Sequence, residues 1–167
     1  MSYLFHNEPV EAPGNRPEIG ELFPDFSVLN KDGQTVTLKE LISDKPLLLS
    51  VVPNIDTRVC SLQTRHFNQE VDGHTEVNFI TISTNTSDQQ ANWCAAENVK
   101  NMEMLSDINH DFGNKTGLYV PALGIDLRSV WVVNTKGIIT YREILENQSN
   151  EPNYNMVLDH LNEMYNK

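Results

Sequence analysis

The chain has 167 residues, 39% of them apolar and 21% charged, with 12 Lys and Arg against 23 Asp and Glu for a formal net charge of −11. That length suits one domain, residues 1–167, which can bury a core without staples. Such an acidic surface repels phosphate backbones and anionic headgroups, so it argues against nucleic-acid and membrane partners. No apolar run approaches the ~20 residues of a spanning helix. No apolar segment follows a basic start, so the expected location is cytoplasmic. The two cysteines, Cys60 and Cys94, are too few for a secreted disulfide scaffold, and no C-x-x-C is present.

Residues 1–20 carry Pro9, Pro13, Pro17, Gly14 and Gly20 and read as an N-terminal extension, either extended segments or a small hairpin. A short strand is expected in 25–30, then a turn at Asp32-Gly33. Val36-Thr37-Leu38 either continues as a strand or leads into a short helix at Leu38–Ile42. Leu47–Val52, bounded by Pro46 and Pro53, is the first strong buried strand. Cys60–Val71 reads as helix, with Cys60, Phe67 and Val71 on one face and Gly73 at its end.

Val77–Ser83 is a second buried strand. Ser87 and Gln90 form a capping-box pattern for a helix from about Asp88 to Glu97, which contains Cys94. Met102–Ser106 is a short strand, followed by a helix over 107–115 ending at Gly117. Ser129–Val133 is a third buried strand, returned through the turn 134–137 by Ile138–Ile144. Pro152 suits the first turn of a last helix, with Val157, Leu161 and Met164 as its apolar stripe. This order is β-α-β-α, a linker, then β-β-α. It predicts an α/β fold with a mixed central sheet flanked by helices, and it matches the thioredoxin-like architecture with an N-terminal addition.

The stretch Pro53-Asn54-Ile55-Asp56-Thr57-Arg58-Val59-Cys60 takes the first strong strand through a turn into a helix. A cysteine in a first helical turn is easily ionised, because free N–H groups and the helix dipole favour negative charge there. A thiolate so placed is a nucleophile. Pro53, Thr57 and Cys60 reproduce the P-x-x-x-T-x-x-C pattern of the peroxiredoxins. The string Val51–Cys60 resembles the bacterial thiol peroxidase subfamily, in which Asp-Thr-x-Val-Cys is typical. Trp93-Cys94 lies where that subfamily places its second cysteine, and Arg128 matches its active-site arginine by position. The resemblance extends over roughly residues 15–165.

The resemblance implies a peroxidase that acts on hydrogen peroxide and organic hydroperoxides. Cys60 would attack the peroxide and become a sulfenic acid. Cys94 would then condense with it to a disulfide within one chain, and thioredoxin would reduce that disulfide. Thr57 would hold the peroxide, Arg128 would polarise it and lower the thiol pKa, and Pro53 would shield the sulfur. Relatives are usually cytoplasmic homodimers, and no metal, haem or flavin cofactor is needed. Closing a 34-position loop costs a flexible chain roughly 4 kcal/mol, and sulfurs on two helices must meet within ~2 Å, so local unwinding around both cysteines is expected on oxidation.

Each residue also has a plainer reading. Cys60 and Cys94 can be ordinary packed thiols. Arg128 can be half of an ion pair, and Arg58 and Arg65 surface cations. Cys60 with His66 hints at a cysteine hydrolase, but six helical positions set them on different faces. The five histidines show no metal-ligand spacing. Trp93 is expected in the core. The rival function is a redox-sensing interaction protein that uses the same thiol pair as a switch.

Overall fold

The computed structural model describes residues 3–165. A small antiparallel hairpin opens the chain, β1 (Tyr3–Phe5) with β2 (Glu8–Val10). The body is built on a seven-stranded sheet. Its strands are β3 (Ser27–Leu29), β4 (Thr35–Thr37), β5 (Leu47–Val51), β6 (Asn78–Ser83), β7 (Glu103–Ser106), β10 (Ser129–Val133) and β11 (Ile139–Ile144), in the order β11-β10-β5-β6-β7-β3-β4. The central strands β5, β6 and β7 run parallel, and β10 and β3 join them antiparallel. The sheet is therefore mixed, as the element order predicts, and the architecture is thioredoxin-like. The remaining pair, β8 (Tyr119–Val120) with β9 (Ile125–Asp126), is a two-residue ladder outside the main sheet.

Every residue of β5 is buried, which is why it reads as a continuous apolar run rather than an alternation. Its side chains still divide by twos. Leu47, Leu49 and Val51 join Phe26, Phe112 and Trp131 on one face. Leu48 and Val52 join Cys60, Phe67, Val130 and Leu161 on the other. Helices α2 (Arg58–Glu70) and α5 (Tyr154–Tyr165), with Trp93 of α3 (Ser87–Glu97), cover that second face. Helices α1 (Leu38–Leu41) and α4 (Asp111–Thr116) cover the first. Phe67 is fully buried, and a side chain of that size contributes about 1.5–3 kcal/mol by leaving water.

Several expected details differ. The capping box of α3 is Thr86 with Gln89, not Ser87 with Gln90. Ser87 instead donates to the Asn30 carbonyl, and Gln90 turns inward to Ser83 and the Leu105 carbonyl. Helix α2 begins two residues before Cys60, and a 3₁₀ turn at Val71–Gly73 follows it. Helix α4 begins at Asp111, because the Asp107 carboxylate accepts from the N–H groups of Phe112 and Gly113 and leaves 107–110 as a turn. Pro152 lies outside α5, whose approach is set by Asn153 accepting from the Met156 N–H. Met164 is not part of the buried stripe; it is 46% exposed while Val157 and Leu161 are buried.

The N-terminal extension is laced to the body at Gly117. This residue ends α4 at φ +74, and a Cβ there would meet the Asn15 carbonyl oxygen at 2.5 Å. Only glycine allows both that backbone and that approach.

Candidate active site

The register between β5 and β10 sets the site. Val51, the last residue of β5, pairs with Ser129, the first of the antiparallel β10. The chain entering β10 therefore lies beside the chain leaving β5. Arg128, one step before Ser129, is brought to the turn 52–57 that opens α2.

Thr57 is the N-cap of α2, with extended backbone (φ −86, ψ 155). Its hydroxyl does not cap the helix. It donates to the Asn54 carbonyl at 2.8 Å, which leaves its lone pairs as acceptors. Cys60 is the third residue of the helix and fully buried. Its first-turn position aims the positive end of the helix dipole at the sulfur. Pro53, in the turn that leads to the helix, is buried and presents no N–H.

Arg128 is only 2% exposed, and its guanidinium is fixed at three points. Nη2 donates to Cys60 Sγ at 3.3 Å, Nη1 to Gln63 Oε1 at 3.1 Å, and Nε to the Gln148 carbonyl at 2.8 Å. Gln63 is held in turn, donating to Ser50 Oγ at 2.8 Å. One N–H of each guanidinium nitrogen is thus directed, and a buried cation so held is a charge-assisted donor in a medium where water cannot serve.

Cys94 lies on α3, half-buried against the same apolar cluster as Cys60. Both thiols are free. Burial pushes the Cys94 thiol up from its ordinary value, so it is protonated at neutral pH. Two concavities flank the cysteines. One, of about 610 Å³, lies between the start of α2 and α3 and is lined by Thr57, Arg58, Asn92 and Trp93. The other, of about 570 Å³, is lined by Cys94, Gln90, Met102 and Lys100.

The structure thus joins Cys60 to Arg128 directly, with Thr57 and Pro53 in the turn between strand and helix, and keeps Cys94 on a neighbouring helix. The plainer readings hold for several others. Arg58 is exposed, Arg65 pairs with Glu97 at 3.7 Å on the surface, and Trp93 is buried in the core. His66 stacks on Tyr154 at 3.7 Å rather than serving Cys60. Among the described residues, no group of three or more His, Cys, Asp or Glu is placed to hold a metal.

Sequence reasoning misses Gln63, Gln148 and Asn85. Gln63 follows Cys60 by three helical positions, a spacing that puts it on the same face. Asn85 and Gln148 carry no local signature.

The family model described as AhpC/TSA family matches residues 19–142. The chain is 43% identical to a thiol peroxidase of Oceanobacillus iheyensis over 95% of its own length and 96% of the relative's. It is 37% identical to a thiol peroxidase of Bacillus subtilis over 90% of each chain. Among solved structures, a peroxiredoxin-like protein from Aquifex aeolicus superposes with a TM-score of 0.90 at 27% identity, covering 97% of this chain and 96% of that one.

Proposed function

Because this chain belongs to the AhpC/TSA family and is a thiol-dependent peroxidase of the peroxiredoxin kind, we propose that Cys60 is its peroxidatic nucleophile and Cys94 its resolving thiol. The observation that carries this reading is the 3.3 Å contact from Arg128 Nη2 to the buried Cys60 sulfur at a helix start. The guanidinium is a charge-assisted donor aimed at the atom that must carry an electron pair into the peroxide.

The chemistry runs in three steps. The Cys60 thiolate attacks the terminal oxygen of a hydroperoxide. The S–O bond forms and the O–O bond breaks, giving Cys60 sulfenic acid and an alkoxide or hydroxide that takes up a proton. Nη1 and Nη2 of Arg128 each carry a second N–H for the oxygen that gains charge. Thr57, whose proton is committed to Asn54, accepts from the peroxide O–H and holds the two oxygens in line with sulfur. Pro53 closes the turn against water. The Cys94 thiol then displaces hydroxyl from the sulfenic acid, releasing water and leaving a Cys60–Cys94 disulfide. A thioredoxin-class dithiol reduces this disulfide and is itself oxidised. The reading extends to hydrogen peroxide and organic hydroperoxides as substrates and to a cytoplasmic homodimer.

A peroxide titration read by mass spectrometry tests it. One equivalent should remove two hydrogens and join residues 60 and 94 in one peptide. Cys60→Ser should have no turnover. Cys94→Ser should form one sulfenic acid per chain and then stop; sustained thioredoxin-linked cycling in that variant would remove Cys94 from the resolving role.

A further inference from the structure

A guanidinium on a strand-end arginine has four side-chain torsions to fix before it can meet one sulfur. Gln63 fixes one end of the Arg128 guanidinium; the root of the side chain and the main chain are fixed by a single residue, Gln148, in the turn after β11. The Gln148 carbonyl accepts from Arg128 Nε at 2.8 Å. Its side-chain oxygen accepts from the Arg128 backbone N–H. Its side-chain nitrogen donates to the Leu145 carbonyl at 2.7 Å and reaches the Arg128 carbonyl at 3.4 Å. Gln148 is 1% exposed. It thus grips the main chain of Arg128 on both sides and the root of its guanidinium together.

The turn that carries Gln148 is irregular and has a partner outside itself. The N-terminal strand lies beside it. Leu4 N–H donates to the Glu146 carbonyl at 2.8 Å, and the Gln148 N–H donates to the Leu4 carbonyl at 2.8 Å. Leu4 forms a parallel bridge with Asn147. A line of hydrogen bonds therefore runs from Leu4 through Gln148 and Arg128 to Cys60.

We propose that Gln148 is a positioning residue that aims Arg128 at the Cys60 sulfur, and that strand β1 of the N-terminal hairpin holds Gln148 in place. The extension is thereby part of the support of the active site rather than an appendage. The inference rests on the reading of Arg128 as the cation that serves Cys60.

Gln148→Met tests it, since it keeps length and volume but removes the amide. In a Cys94→Ser background, three quantities are read: the pH profile of Cys60 alkylation by iodoacetamide, the single-turnover rate with hydrogen peroxide at pH 7, and the thermal midpoint. The expected result is a displaced alkylation profile and a peroxide rate lower by about ten- to a hundredfold, as for a misplaced catalytic group. Leu4→Pro deletes the Leu4 N–H at a partly exposed position and should move both readouts the same way by a smaller amount.

A lowered thermal midpoint with the profile unmoved and the rate within about twofold of the parent would show that the Gln148 amide only fills the interior, and the proposal would fall. If Gln148→Met does not fold, Leu4→Pro decides by the same two readouts. Arg128→Met in parallel separates the layers. An unmoved profile in Arg128→Met would sink the reading of Arg128. A profile moved by Arg128→Met but not by Gln148→Met would sink only the positioning role.

Discussion

Asn85 ties the approach to one cysteine helix to the approach to the other. From the loop before α3, its Oδ1 accepts the Ile55 N–H at 2.8 Å and its Nδ2 donates to Asn54 Oδ1 at 3.1 Å. The Ser106 hydroxyl donates to its carbonyl from the third parallel strand. Replacing it by Ala leaves the buried Ile55 N–H without its acceptor, a loss of about 1–3 kcal/mol. Asn85→Ala should melt earlier in urea with an unchanged slope, and a midpoint equal to the parent's would show that the clamp carries no stability.

Arg128→Met should lower the rate of Cys60 oxidation by hydrogen peroxide by about 10²–10³-fold, the usual cost of one lost donor to developing oxygen charge. Arg128→Lys should recover little of it, because an ammonium cannot reach the sulfur, Gln63 and Gln148 in one plane. Stopped-flow fluorescence under single-turnover conditions measures both.

Thr57→Val should lower kcat/KM for peroxide at least about tenfold, while Thr57→Ser keeps most of it. The hydroxyl makes no helix cap, so the loss of stability should be small, about 1 kcal/mol for the bond to the Asn54 carbonyl. A Thr57→Val enzyme with parental kcat/KM would remove the hydroxyl from substrate positioning.

The resolving step should quicken with pH. Burial raises the Cys94 thiol, so its reactive thiolate is scarce at neutral pH and grows about tenfold per unit below the thiol pKa. The disulfide-forming phase after a peroxide pulse should follow that slope between pH 6 and 8. Bringing the sulfurs together should also strip amide-exchange protection at residues 57–63 and 91–97. Identical exchange in reduced and oxidised protein would mean that the helices need not unwind.

Asp126→Asn should stabilise the protein at alkaline pH. Asp126 is fully buried, with neither oxygen in a hydrogen bond of ordinary geometry. Burial first, and the neighbouring Asp107 second, raise its pKa well above the carboxylate range. The folded state therefore holds a proton that the unfolded chain gives up near pH 3.8. Stability is complete below that value and declines as pH rises through the raised one. The isosteric amide removes this decline, so the thermal midpoint of Asp126→Asn should fall less between pH 5 and 9, by about 2–4 °C for each kcal/mol recovered. Parallel curves for parent and variant would contradict it.

The sequence discloses β5, β6 and β10 because long runs rich in Val, Ile and Leu have no other economical reading. It singles out Cys60, Thr57 and Pro53 as candidates because their spacing is local. Arg128 is legible by its place before a strand, but what aims it is not. Gln63, Gln148 and Asn85 are neutral amides whose partners lie up to 65 positions away, and no periodicity marks such contacts. The capping register of α3 is misplaced by one residue because Thr86-x-x-Gln89 and Ser87-x-x-Gln90 both satisfy the same pattern. Only the burial of Gln90 separates them. The β8–β9 ladder is too short for any alternation to show.

The complete enclosure of the Cys60 residue makes its surroundings a sieve. A slender oxidant needs only a brief parting of a few side chains to arrive. A bulky disulfide needs a wide breach, and so rarely captures this thiol in a mixed bond. Enclosure of this kind sorts collision partners by girth before any electron pair moves.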